Sequence, residues 1–352
     1  MRTLLLPLLL ALLPGLACAP TTQPEREAPP GVRPGDRLER RGDEIVVAGQ
    51  LFHTGAPVVL WTDPGGYDAY RTERRFAPWP ESDHAATTRS TGDDRTPNRY
   101  GLRFERSLSP AELAEVRGGG WTLEMLRDRV DQFVLHYDVC GVSARCFDVL
   151  HDMRNLSVHF MLDVDGTIYQ TLDVKERAWH ATKANDRSVG IEIANIGAYS
   201  ARERDPFDQW YATDAAGAHI TIPPSIERRY GPRGGVRDAS SWPLRPARPQ
   251  VVTGEIHGGA LRQYDLTPQQ YDSLIKLTAA LHLALPNIRL DYPRERDGAV
   301  LRRTLTDGEF EAFKGVLGHW HVQRNKIDPG PAMDWEKVIG GARRALTGDR
   351  TH

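Results

Sequence analysis

Cysteine is scarce, with three among 352 residues. That is too few for a disulfide scaffold and too few for a zinc site built from cysteine alone. Neither sign of charge is in excess: 45 Lys and Arg face 47 Asp and Glu, for a formal net charge of −2. The composition therefore lacks the clustered basic surface that nucleic-acid binding requires. No internal repeat is present. Beyond the first twenty residues no run is long and apolar enough to span a bilayer of about 30 Å. What remains is an ordinary globular mixture, 40% hydrophobic and 26% charged, with room for a sizeable core. The length suits two domains, or one domain with large insertions. The 32 Gly and 25 Pro imply much loop.

The N-terminus reads as a targeting segment. Arg2 precedes an apolar run from Leu4 to Leu13, broken only by Pro7. The run is too short for a mature membrane helix and has the form of a secretory signal. Cleavage before Cys18 leaves an N-terminal cysteine for lipid attachment. Cleavage after Ala17-Cys18-Ala19 is the alternative, with Pro20 first in the mature chain. The expectation is a lipoprotein-type signal peptide over 1–17 and an exported protein of the cell envelope, lipid-anchored at the outer membrane or in the periplasm. The only membrane contact expected is that N-terminal anchor. Residues 18–43 are Pro-rich and charged and form a disordered linker.

Periodicity and turn chemistry divide the remainder. Residues 44–62 suggest two short strands joined by a Gly/Pro turn, and residues 77–100 look irregular. Ser109-Pro110-Ala111-Glu112 is a helix start, and a second helical piece covers Thr122 to Val130. A strand pattern covers Phe133 to His136. Val158 to Val164 and Thr167 to Leu172 flank Asp165-Gly166, a hairpin signal. Ser188 to Ile193 is a strand with Glu192 facing away from Val189, Ile191 and Ile193. Residues 198–256 show little periodicity and read as an insertion. Thr267 and Gln270 form a capping box before a stripe of Tyr271, Leu274, Ile275, Thr278 and Leu281. Val316-Leu317 leads a last strand into Gly318-His319, and Asp334 caps a C-terminal helix.

Three features offer chemistry. His136 ends an apolar strand, Glu192 lies in another, and His319, Lys326 and Asp328 fall within ten residues of each other. A catalytic zinc site takes three protein ligands and keeps an open position. A carboxylate beside it can act as general base, and a lysine can hold a developing oxyanion. Each residue also has a bland reading: a strand histidine satisfied locally, a structural ion pair for Glu192, a plain turn at Asp328-Pro329-Gly330. On a strand, His319 and His321 would face the same side, so spacing does not choose between them. His159, His180, His257 and His282 are further candidates. Periodicity and spacing alone reach only a metallohydrolase.

Five segments, in order, are more specific: FVLHYD, LSVHFMLDVDGTIYQTLD, ERAWHAT, NDRSVGIEIANIG and GHWHVQRNKIDPGPAMDW. Over about Asp131 to Trp335 the chain resembles the zinc-dependent N-acetylmuramoyl-L-alanine amidases that share a fold with peptidoglycan-recognition proteins. The resemblance implies an α/β fold, a central mixed β-sheet flanked by helices. Onto it would be added a large loop insertion at 198–256 and an N-terminal extension over 44–125 packed on the core, with the amidase domain over 126–348. It implies Zn2+ held by His136, His319 and Asp328, with Glu192 and Lys326 catalytic and His321 not a ligand. The implied reaction is hydrolysis of the amide between N-acetylmuramic acid and L-alanine, in peptidoglycan or muropeptides. A non-catalytic peptidoglycan-binding protein of the same fold is the competing reading. A similarly spaced bridge in peptidoglycan-recognition proteins implies a Cys140–Cys146 disulfide in an exported protein. The insertion is expected to line the substrate groove, with Trp210, Tyr211, Tyr230 and Trp242 on a sugar or peptide.

Overall fold

The computed structural model describes residues 33, 35–36, 38–82 and 100–347. The expected signal peptide and Cys18 lie outside the described residues, as does most of the expected linker. The chain divides into two units, Met1–Glu39 and Arg40–His352, and the second carries everything below. Among the described residues no helix is long and apolar enough to cross a membrane.

The stretch 44–62 holds three strands where two were expected. β1 (Glu44–Val47) and β2 (Gln50–His53) form a hairpin across Ala48-Gly49. β3 (Val58–Leu60) leaves that hairpin and joins the central sheet. The Gly/Pro turn at 55–57 was legible; the tighter turn at 48–49 was not. β4 (Tyr100–Gly101) and two helices follow, α1 (Pro110–Gly119) and α2 (Leu123–Arg129). The expected helix start at Ser109 is a capping box, closed by Ser109 and Glu112 on α1.

The central sheet is mixed. Its strands are β5 (Gln132–Tyr137), β6 (Phe160–Leu162), β7 (Ile168–Gln170), β9 (Ser188–Ile193) and β14 (Gly315–Gly318), with β3 at one edge. β8 (Arg177–Ala178) pairs with β4 apart from it. The order is β14-β5-β9-β6-β7-β3. β14, β5, β9 and β6 run parallel, and only the β6–β7 hairpin is antiparallel. In β5 the run Phe133-Val134-Leu135 is wholly buried, as a central parallel strand covered on both faces should be. Between β6 and β7, Gly166 sits at φ +86° and a Cβ there would meet the Gln269 backbone at 2.8 Å, so the turn admits only glycine without strain.

One face of the sheet packs on two helices. α6 (Pro268–Ala284) begins at the Thr267/Gln270 capping box and lays Tyr271, Leu274 and Leu281 against Phe133, Leu135, Ile191 and Ile193. α9 (Trp335–Thr347) is capped by Asp334, whose Oδ1 accepts the Lys337 N–H at 3.0 Å. Ile275 covers Gly341, where a Cβ would lie 2.7 Å from it. This leaves the opposite face of β5 and β9 for His136 and Glu192, which are register partners.

The stretch 198–256 is not irregular loop. It contains the short helix α4 (Phe207–Trp210), the hairpin β10 (Tyr211–Asp214) with β11 (Gly217–Ile220), and α5 (Pro224–Tyr230). Its end, β12 (Val252–Ile256), pairs with β13 (Gly259–Gln263), so the expected boundary cuts a hairpin. Phe207, Trp210, Ile220, Ile226, Val236 and Leu244 form an apolar cluster with Val142, Val164 and Ala194. The elements are too short to show a period in sequence, and each is stabilised by this cluster.

Arg103 is the most heavily bonded buried group. Its guanidinium donates to the carbonyls of Val174, Asn185, Asp186 and Ser188 at 2.7–3.2 Å, with none of the residue exposed. Burial pulls its pKa down to about 9, which still leaves it charged at neutrality. Arg103→Ala would leave four carbonyls without this donor, three of them on buried residues, at about 1–3 kcal/mol for each one left unsatisfied. The variant should therefore lose at least about 3 kcal/mol in urea unfolding, and a loss below about 1 kcal/mol would contradict the assignment of these bonds.

Candidate metal centre and active site

The parallel strands β14, β5 and β9 end at the same edge of the sheet. In open α/β sheets such C-terminal strand ends form ligand crevices. His136 projects from β5, and Glu192 from its register partner in β9. His319 opens α8 (His319–Val322), directly after β14. Asp328 returns on the following loop. The Asp328 carbonyl accepts the Trp320 N–H at 3.2 Å. Gln263 fastens the same loop, donating to the Pro329 carbonyl and accepting from Ala332 N, each at 3.0 Å.

Three donor atoms converge. His136 Nδ1, His319 Nδ1 and Asp328 Oδ2 lie 2.9 Å from one another, on residues no more than 8% exposed. The outer nitrogens of both rings have partners. His319 Nε2 faces Gln323 Oε1 at 2.7 Å, which requires a proton on Nε2 and leaves Nδ1 with a lone pair. His136 Nε2 faces His180 Nδ1 at 2.9 Å. With the His136 proton on Nε2 as well, two nitrogen lone pairs and a carboxylate oxygen meet with no proton between them. That is the donor set and the imbalance that a divalent cation relieves, and the outer partners are the kind that orient metal-ligating histidines. The residues present thus fit a three-ligand zinc site.

The electrostatics of the metal-free site favour an ionised Asp328. Burial, then the neighbouring His319, hold the His136 pKa down at about 4, so the ring is neutral. Burial by itself would raise the Asp328 carboxyl, but positive charge on His319 and hydrogen bonds from His136 and His319 hold it well below the usual range; without a metal those protons take the place a cation would fill. The remaining expected residues line the same cavity. Glu192 opens into it beside His136, His180, His319, Asp328 and Lys326. Burial, then the Asp328 and Asp138 carboxylates, push the Glu192 pKa well up, with Lys326 opposing. The backbone carbonyl of Lys326 accepts from His257 Nε2 at 3.0 Å, tying its loop to the β12–β13 turn.

His319 begins a helical turn rather than continuing the strand, so it and His321 do not share a side. His321 Nδ1 accepts the Gly318 N–H at 2.9 Å, and its Nε2 donates to the Leu301 carbonyl at 2.7 Å. Among the other candidates, His159 is buried between the Gly190 N–H and the Glu176 carbonyl, and His282 bonds the Ile288 carbonyl. The strand reading also concealed Gln323. On a helix it stands one turn beyond His319, where a partner for the ring is expected.

Two expectations fail here. No residue of 198–256 lines this cavity. Trp210 is buried against Gly141, where a Cβ would lie 2.5 Å from it. Tyr211 stacks on Tyr264, Tyr230 donates to Asp148 at 2.6 Å, and Trp242 lies under Arg233. The insertion therefore buttresses the loop behind His136 instead of presenting aromatics to a ligand. The Cys140–Cys146 bridge is also absent, and both are buried free thiols. A hydrogen bond to Cys140, burial, and the Asp138 and Glu192 carboxylates raise the Cys146 pKa well up, which suppresses the thiolate that oxidation requires.

Residues 126–230 match the sequence profile described as N-acetylmuramoyl-L-alanine amidase. The likeness to that family covers about a third of the chain. The match includes His136 and Glu192 and ends before His319, Lys326 and Asp328. No curated protein matches the chain. Among solved structures the chain is similar to a selenomethionine derivative of AmpD, at 16% identity, over 69% of this chain and 89% of that one, with a TM-score of 0.30. The amidase AmiD from E. coli, solved with an anhydro-N-acetylmuramic acid peptide, is 16% identical over 60% of this chain and 57% of its own, TM-score 0.31. The endolysin amidase LysCS from Clostridium intestinale is 16% identical over 63% and 86%, TM-score 0.31. Thiol counting on the full chain, denatured without reductant and mapped by peptide, should find Cys140 and Cys146 both reactive; a bridged 140–146 peptide would contradict the packing described.

Proposed function

We propose that the chain is a zinc-dependent N-acetylmuramoyl-L-alanine amidase acting on peptidoglycan or muropeptides. The observation that carries this reading is the convergence of His136 Nδ1, His319 Nδ1 and Asp328 Oδ2 at 2.9 Å, in a chain whose residues 126–230 match the amidase family. These three side chains would hold the ion. Bound zinc supplies a Lewis acid that polarises a carbonyl and acidifies water to a pKa of about 7.

The chain's own groups do the rest. Glu192 takes the proton of the attacking water and returns it to the amine of the leaving L-alanine, a shuttle suited to its raised pKa. The Lys326 ammonium supports the oxyanion that develops on the lactyl carbonyl. Burial of the ligand set excludes bulk water and strengthens both effects. The sequence-level plan completes the proposal: a signal over 1–17, a tether over 18–43, an extension over 44–125 and the amidase domain over 126–348. A lipid on Cys18 would hold the enzyme in the envelope, where its substrate lies.

Single substitutions separate the roles. Glu192→Gln keeps the shape and removes the basic oxygen, so it should stay folded and zinc-loaded while turnover on a defined muropeptide falls by about 10²–10⁴. His319→Ala and Asp328→Ala should lose zinc together with activity, and His321→Ala should keep zinc. Metal content, melting temperature and muropeptide products measured together decide the assignment. Near-normal turnover in zinc-loaded Glu192→Gln would remove Glu192 from the mechanism.

A further inference from the structure

His180 lies in the cavity wall with no part in the chemistry above, yet its surroundings are built. Its Nδ1 stands 2.9 Å from His136 Nε2, and its Nε2 stands 3.3 Å from Ser188 Oγ. The two rings meet edge-on at 5.2 Å between centroids. The ring packs on the bare backbone of Gly190, where a Cβ would come within 2.6 Å of it. The turn that carries it is fastened by Asn185, whose Oδ1 accepts the N–H groups of His180 and Ala181 at 3.2 and 2.7 Å. Ser188, Gly190 and Glu192 alternate along the same face of β9, so one strand supplies the second partner, the space for the ring, and the carboxylate in the cavity.

A histidine ligates only through the nitrogen that carries no proton. The proton of His136 therefore has to reside on Nε2 for Nδ1 to face His319 Nδ1 and Asp328 Oδ2 as a donor. The reverse tautomer places a proton among those atoms. We propose that His180 is a positioning residue for the metal centre: its Nδ1 accepts a hydrogen bond from His136 Nε2–H, its own Nε2–H donates to Ser188 Oγ, and the His136 Nδ1 lone pair is so held on the ion. The proposal rests on the amidase reading through its zinc ligands. The orienting group here is a neutral imidazole relayed to a hydroxyl, rather than the carboxylate or backbone carbonyl that commonly plays this part.

The test uses the full-length protein and zinc ion, with affinity measured by competition against a chromophoric chelator. His180→Ala should weaken zinc binding by about 10–100-fold. His180→Asn places an amide oxygen where Nδ1 stood and should recover most of that loss, whereas His180→Phe fills the space without an acceptor and should not. In zinc-loaded protein the slowly exchanging His136 Nε2–H resonance should be present in the parent and in His180→Asn, and lost in His180→Phe. Melting temperatures show whether each variant is folded, and the Asn and Phe pair decides the matter if His180→Ala is not. Zinc lost in His319→Ala but held with parental affinity in His180→Phe overturns the His180 assignment alone. Zinc held in His319→Ala overturns the metal centre and this proposal with it.

Discussion

Three potential metal-ligand atoms, two ring nitrogens and a carboxylate oxygen brought within 2.9 Å of each other, are the constraint on which this end of the sheet depends. The cluster is buried, and its geometry has to be imposed. It persists because each contributor is fixed from outside. Gln323 holds the His319 tautomer, and His180 stands against His136. The Asp328 loop is stitched to α8 through Trp320 and to β13 through Gln263. The polar shell was completed by residues two and three steps from the chemistry, which is why the ligands alone do not describe the site.

The sheet determines where this can happen. Parallel pairing of β14, β5 and β9 places His319, His136 and Glu192 at one edge without any long-range adjustment. The α6/α9 side takes Phe133, Leu135, Val189, Ile191 and Ile193 into the core, so His136 and Glu192 fall on the opposite face, where they line the cavity. The folded stretch after β9 fills the space behind the His136 loop through Trp210 on Gly141. It acts on the site by support, at a distance from the cavity.

Much of this was legible in the sequence where a local rule had one outcome. The Ser109 and Thr267 capping boxes, the Asp165-Gly166 hairpin and the β9 alternation each specify their structure within a few residues. The reading failed where two local structures share a pattern. His319-x-His321 fits a strand or the first turn of a helix, and taking the strand hid Gln323. The turn at Ala48-Gly49 was missed because the stronger Gly/Pro signal lay nearby. The resemblance implied a bridge, but the hydrogen bond to Cys140, then burial and the Asp138 and Glu192 carboxylates, disfavour the Cys146 thiolate, and these are tertiary properties. The aromatics of 198–256 resembled a binding surface because composition does not distinguish an exposed ring from one that fills a small core.

The account stands on a metal held by His136, His319 and Asp328 and used to cleave one amide. The most direct measurement is mass spectrometry of a defined N-acetylmuramoyl-L-alanyl peptide after incubation with the full-length protein, chelator-treated protein, and treated protein resupplied with zinc. The account predicts separate sugar and free L-alanyl peptide products with the native protein, none after chelation, and their return with zinc. Intact substrate in all three, or cleavage unchanged by chelation in protein shown to be free of metal, would contradict it.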